Sequence, residues 1–171
     1  MAEIEIINIK WEGPLTLEKA YNKNKKNDKG VYQVYGDHPV YGLDVLFYIG
    51  KTQGQTFGVR LKTHEKNFGE WDQRIQIYLG RIYAERKAWP SAQKWGSMID
   101  RVERILIPAC WPALNCQGIG GPSNSGEDEV KDLLILNWGR FRSLPATVSG
   151  RQAGIGSLDR NAQAIGSTKS S

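Results

Sequence analysis

Two short β-branched and aromatic runs, Val31 to Tyr35 and Val45 to Ile49, constrain the fold most. Gly30 precedes the first, Gly50 ends the second, and Gly36-Asp37-His38-Pro39 punctuates the stretch between them. Runs of this length and composition read as strands, and Pro39 stops the first from continuing. The pattern predicts an antiparallel pair. From Phe57 to Phe68 the spacing turns helical, with Phe57, Leu61 and Phe68 near one stripe. Arg74 to Tyr83 alternates through Ile75, Ile77, Leu79 and Ile82, which predicts a third strand that Pro90 and Ser91 terminate. Met98, Val102, Ile105 and Leu106 return to helical spacing, so a second helix is expected from Ser97 to about Ile107. Ser97 serves as its N-cap, and Pro108 and Pro112 force an extended exit. The expected class is α/β (α+β), with a small central antiparallel sheet of about three strands flanked by helices.

The flanks are less patterned. Ile4, Ile6, Ile7 and Ile9 suggest a short strand, and Leu15 to Tyr21 a helical turn opened by Thr16. The basic stretch Lys23 to Lys29 reads as a solvated surface loop. Leu133 to Trp138 is a further strand candidate, and Leu144 to Val148 an edge partner for it, since Pro145 cannot donate to a central ladder. From Gly150 the composition shifts to Gly, Ser, Gln and Asn, the mark of a flexible tail over 151–171. A length of 171 residues fits one domain that can bury a sizeable core. That domain is expected over 1–150, with its centre at 30–115 and extensions at 1–29 and 116–150.

Composition mainly excludes. The net charge of +5 permits a polyanionic partner without requiring one. Cys110 and Cys116 make no disulfide framework, and with only His38 and His64 a structural zinc site lacks ligands. Free thiols are expected. The N-terminus lacks the basic and apolar regions of a signal peptide, and no apolar run approaches the ~18 residues of a membrane span. A cytoplasmic protein with no membrane partner is therefore expected. Gly50-Lys51-Thr52 resembles the end of a phosphate-binding loop, but Val45 stands where that pattern needs glycine, so no nucleotide cofactor is expected.

Three pieces remain: Gly30-Val31-Tyr32, then Tyr48-Ile49-Gly50-Lys51, then Glu103-Arg104-Ile105-Leu106-Ile107 followed by Pro112 and Asn115. Arg60 and His64 lie on the helix between the second and third. Together these resemble the GIY-YIG nuclease family: GVY stands for GIY, YIG is intact, and ERILIPACWPALN follows the pattern E-x-x-L-I…P-x-x-N. Any one tripeptide is weak evidence, whereas the ordered set is specific. It covers Gly30 to Asn115, about half of the chain.

The resemblance implies a DNA endonuclease that hydrolyses phosphodiester bonds with one Mg²⁺ (or Mn²⁺) per active site. Glu103 would hold the metal, since Mg²⁺ takes one or two carboxylates and keeps several waters. Arg60 and His64, four apart, share a helix face. Arg60 can clamp a phosphate with two prongs, and His64 can relay or accept a proton near neutral pH. Lys62 is the alternative cation on that helix. Tyr32 would orient or deprotonate the attacking water, supported by Tyr48. Lys51 would hold the tyrosine ionised or contact phosphate. Asn115 would brace the site, and Gly50 would leave room for substrate. Outside this core, Arg140 and Arg142 could read guanine edges or only clamp phosphates of double-stranded DNA. The small size resembles stand-alone type II restriction enzymes of the family, and a double-strand break calls for a homodimer or two visits. The expected role is restriction or defence against foreign DNA. A structure-specific nuclease of repair or a mobile element, or an inactive DNA-binding module of the same fold, are the alternatives.

Overall fold

The computed structural model describes residues 4–52, 54–69, 74–83, 92–115 and 130–151. The loop Gly118–Gly126, Cys116, the Pro90-Ser91 break and the tail beyond residue 151 lie outside the described residues.

The described residues form six strands and three helices: β1 (Glu5–Leu15), α1 (Leu17–Tyr21), β2 (Val31–His38), β3 (Gly42–Lys51), α2 (Phe57–Gly69), β4 (Gln76–Tyr83), α3 (Ala92–Cys110), β5 (Leu133–Gly139) and β6 (Thr147–Ser149). The class is α+β, as the sequence predicts. The sheet, however, has six strands rather than about three, in the order β3-β2-β4-β1-β5-β6. It is also mixed: β1 runs parallel to β5, and every other neighbouring pair is antiparallel. The reason lies in the extensions. Ile7, Ile9 and Trp11 of β1 are buried between β4 and β5, so the N-terminal segment is central. β5 and β6 complete that half, with β6 as the expected edge strand.

Alternation along the strands sends side chains to opposite faces, and a bulge at Phe47, between the Val34–Tyr48 and Tyr35–Leu46 pairs, switches the face along β3. Val31, Tyr35 and Ile49 join one buried cluster with Ile99, Val102, Ile105 and Leu106 of α3. Tyr32, Val34 and Phe47 join another with Ala20 of α1, and Phe57 and Leu61 of α2. Each fully buried side chain of this size contributes roughly 1.5–3 kcal/mol. Polar substitution at Ile105, which is fully buried, would break the packing of α3 on the sheet.

The start of α1 is the expected one, whereas the ends of α3 depart from expectation. α1 begins after Thr16, whose hydroxyl accepts from Lys19 N at 3.3 Å. α3 begins at Ala92, so Ser97 is inside it and is not its cap. Pro108 is likewise inside. Proline near a helix end forfeits one backbone bond, and the next turn still closes: Trp111 N donates to Ile107 O at 2.9 Å. Trp111 then enters the left-handed region at φ 48° and stops the helix before Pro112. No described helix is long and apolar enough to cross a membrane.

Candidate active site

The site is built on the β2–β3 pair. Their register sets Tyr32 opposite Gly50, with Tyr48 on the same face of β3. The two tyrosine rings lie 6.1 Å apart, tilted by 36°. A Cβ at Gly50 would stand 2.6 Å from both Cζ and Oη of Tyr32 and from Cε1 of Tyr48. This corrects one expectation: the room that Gly50 leaves is filled by the two rings rather than kept for substrate.

The edge of β3 is closed by the chain leaving α3. Ala113 N donates to Leu46 O at 3.0 Å and Leu114 N to Phe47 O at 2.8 Å. Asn115 finishes the seam with its side chain. Its Oδ1 accepts from Ile49 N at 2.9 Å, and its Nδ2 donates to Ile49 O at 3.0 Å. The residue therefore fixes the backbone of Ile49, between Tyr48 and Gly50.

α2 supplies Arg60 and His64. Thr56 caps this helix, since its carbonyl accepts from Arg60 N at 3.0 Å, and fully buried Phe57 and Leu61 orient it. Arg60 and His64 flank that buried stripe. The charge of Arg60 acts on Tyr32, Tyr48, His64 and Glu103 alike. Burial pushes the Tyr32 hydroxyl well above its usual pKa, Tyr48 adds to the rise, and Arg60 offsets only part of it. Burial and Glu103 likewise raise Tyr48. Burial, and then the Arg60 charge, lower the pKa of His64. Among the described residues, neither the buried Tyr32 hydroxyl nor the buried Arg60 Nε makes a hydrogen bond of good geometry, although the Arg60 guanidinium lies close enough to the Tyr32 oxygen to favour its ionised form by hydrogen bonding. Buried polar atoms are nearly always satisfied. The two groups are therefore neighbours with spare donor capacity, which a polar ligand would take up.

α3 supplies Glu103. Lys51 Nζ, at the end of β3, sits 2.6 Å from Glu103 Oε2 and 2.5 Å from Asp100 Oδ1. Burial alone would lower the Lys51 pKa, but the bonds to Asp100 and Glu103 outweigh it and raise the value. On Glu103 burial dominates instead: the carboxyl pKa is raised despite Lys51. The asymmetry is physical, because Lys51 meets two carboxylates and Glu103 meets one ammonium. Asp100 is the residue that sequence reasoning missed. Its only signal was the spacing of three from Glu103, which puts both on one helix face.

Tyr32, Tyr48, Lys51, Arg60, His64 and Glu103 thus converge from four elements, and Asn115 braces them from behind. Lys62, Arg140 and Arg142 stand apart. Lys62 is exposed, with its ammonium 5.7 Å from the centre of the Tyr21 ring. Arg140 is exposed beside Lys10 and Tyr83. Arg142 is engaged within the fold. Its Nη1 donates to Gln76 Oε1 at 3.0 Å and to the Tyr78 hydroxyl at 2.9 Å. Its Nη2 pairs with Asp44, and its guanidinium lies 4.6 Å from the Tyr35 ring centre.

The α3 carboxylates are the candidate site for a divalent cation. Among the described residues no group of three or more His, Cys, Asp or Glu is placed to hold an ion. A hydrated Mg²⁺ does not need one, since one or two carboxylates suffice when phosphate oxygens and water complete the shell. Glu103, 15% exposed and raised in pKa by burial, fits such a cation, which would relieve its desolvated charge. Comparison of the chain with protein-family models, with curated proteins and with solved structures found no match.

Proposed function

We propose that the chain is a metal-dependent DNA endonuclease of the GIY-YIG kind, hydrolysing phosphodiester bonds of double-stranded DNA in restriction or defence. The observation that carries this reading is the adjacency of the buried Tyr32 hydroxyl and the Arg60 guanidinium, neither fully satisfied by the fold, to the buried carboxylate of Glu103. A phosphodiester in that space would accept from both.

The chemistry follows from the charge states. Arg60 holds a non-bridging phosphate oxygen and offsets the charge that grows there in the transition state. Tyr32, kept a phenol by burial, orients the phosphate or the attacking water and does not deprotonate it. His64, held neutral by burial and by Arg60, takes the proton from that water as its oxygen bonds to phosphorus; the phosphorus–sugar oxygen bond breaks, and the leaving oxygen takes a proton from solvent. A divalent cation on Glu103 would supply further neutralisation at the phosphate. Tyr48 supports Tyr32 through ring contact, and Lys51 fixes the Glu103 carboxylate. DNA contact outside this centre falls to Lys62 and Arg140, whereas Arg142 is occupied by Asp44, Gln76 and Tyr78.

The test is incubation of pure protein with plasmid and Mg²⁺, with and without chelator, alongside Glu103→Ala and Arg60→Ala. Cleavage by the parent, abolished by chelator and by either substitution with the fold intact, supports the reading. Absence of nicking under every condition sinks it. Discrete fragments mark a restriction role, whereas cutting only of flaps or junctions marks repair.

A further inference from the structure

Lys51 joins two carboxylates that the helix presents three residues apart. Its side chain is 16% exposed, and its ammonium lies 2.5 Å from Asp100 Oδ1 and 2.6 Å from Glu103 Oε2. Arg104 Nε lies 3.8 Å from the other Asp100 oxygen. The Glu103 carboxylate therefore has a resident cation at the position a divalent ion would need. Such an ion must compete with Lys51, unless the ammonium has somewhere else to go.

We propose that Asp100 is a positioning residue that provides that place: it retains Lys51 when a divalent cation binds Glu103, so that metal displaces the ammonium from one carboxylate onto the other. This rests on the metal-dependent reading above. The argument is one of charge and geometry. A long, flexible lysine stem needs only a small swing to leave one acceptor and keep the other. Without Asp100 the ammonium would have Glu103 as its one acid partner in this contact, and displacement would leave a partly buried positive charge unpaired, which is costly. Asp100 is 41% exposed, so its replacement spares the core.

Mn²⁺ binding, followed by electron paramagnetic resonance or calorimetry without DNA, tests this in a double-mutant cycle. Asp100→Asn in the parent is expected to weaken Mn²⁺ binding about tenfold, the lower end for residues that support a metal ligand. The same change in a Lys51→Met background is expected to cost less than about threefold, because Asp100 then has no ammonium to hold. Asp100→Glu should restore most of the parent affinity. An equal loss in both backgrounds would show Asp100 acting directly on the ion and overturn the proposal, as would no loss in the parent. Failure of the nuclease reading gives a different result. Plasmid left intact while the Mn²⁺ cycle behaves as expected removes that reading alone. A parent chain that takes up no Mn²⁺ removes both.

Discussion

Asn115 pairs with Ile49 as a neighbouring strand would: its amide accepts from the Ile49 nitrogen at 2.9 Å and donates to the Ile49 carbonyl at 3.0 Å. One side chain thereby satisfies both backbone polar groups of Ile49, and ties the exit of α3 to the strand that carries half of the site. Asn115 is only 5% exposed, so water replaces it poorly.

Asn115→Ala orphans both groups. Each buried unsatisfied group costs ~1–3 kcal/mol, so a loss of about 2–4 kcal/mol is expected. Denaturant unfolding checks it: the midpoint should fall with little change in slope. An unchanged midpoint would mean that the bracket contributes nothing.

Arg142 tests where recognition ends and scaffold begins. Its guanidinium holds the β5–β6 connection to Gln76, Tyr78 and Asp44 and lies over the Tyr35 ring, from a backbone at φ 58°. Arg142→Ala should therefore cost stability, about 1–3 kcal/mol. Arg140 is exposed, and its loss should leave stability within ~0.5 kcal/mol. If Arg140 touches phosphate, Arg140→Ala should lower the salt dependence of DNA binding by roughly one counterion. Thermal unfolding and a salt titration of DNA affinity separate the two residues; the reverse assignment would overturn this division.

Glu103 carries a stability cost whose sign is fixed. Burial holds its folded pKa above the usual 4.5. Between 4.5 and the raised value, the folded chain keeps a proton that the unfolded chain has released, so this group's contribution to stability falls as pH rises through that window. Above the window the carboxylate is ionised in both states and the cost is complete. Glu103→Gln is therefore expected to be more stable than the parent at neutral pH, with the gain fading as pH falls through the raised pKa toward 4.5 and lost below it. Denaturation midpoints at several pH values check it. A variant less stable than the parent at neutral pH would show that the Lys51 pair outweighs burial.

The strands β2 and β3 and the helix α2 were legible because glycines bound the runs and the hydrophobic period changes cleanly between them. β1 was underestimated. Its ladder with β4 continues past Gly13 and Pro14 through an irregularity between Glu12 and Leu15, where local rules end a strand. Its parallel pairing with β5 joins Glu5 to Leu133, and no local pattern encodes so distant a contact. Proline rules ended α3 too early, since Pro108 is accommodated in its final turn. In the site, helical spacing sufficed to group Arg60 with His64. Asp100 escaped because its meaning depends on Lys51, which lies far away in sequence and is brought close by the packing of α3 against β3.

His64 offers a test that needs no substrate. Burial and the Arg60 charge hold its pKa below the usual 6.5, so its imidazole is neutral at pH 7. The chain has two histidines, so both imidazole signals can be followed by proton NMR across a pH titration. His64 is expected to titrate below 6.5 in the parent. Arg60→Met removes the neighbouring positive charge, which makes protonation easier, so the midpoint should move upward. Burial remains, and the value should stay at or below 6.5 rather than pass it. The stability consequence has the matching sign. As pH falls from above 6.5 the unfolded chain gains the proton first, so the folded state loses stability through that window, and less so in Arg60→Met. A midpoint that does not move on removing Arg60 would separate the two side chains electrically, and a parent midpoint above 7 would take from His64 the neutral state that its proposed role as proton acceptor requires.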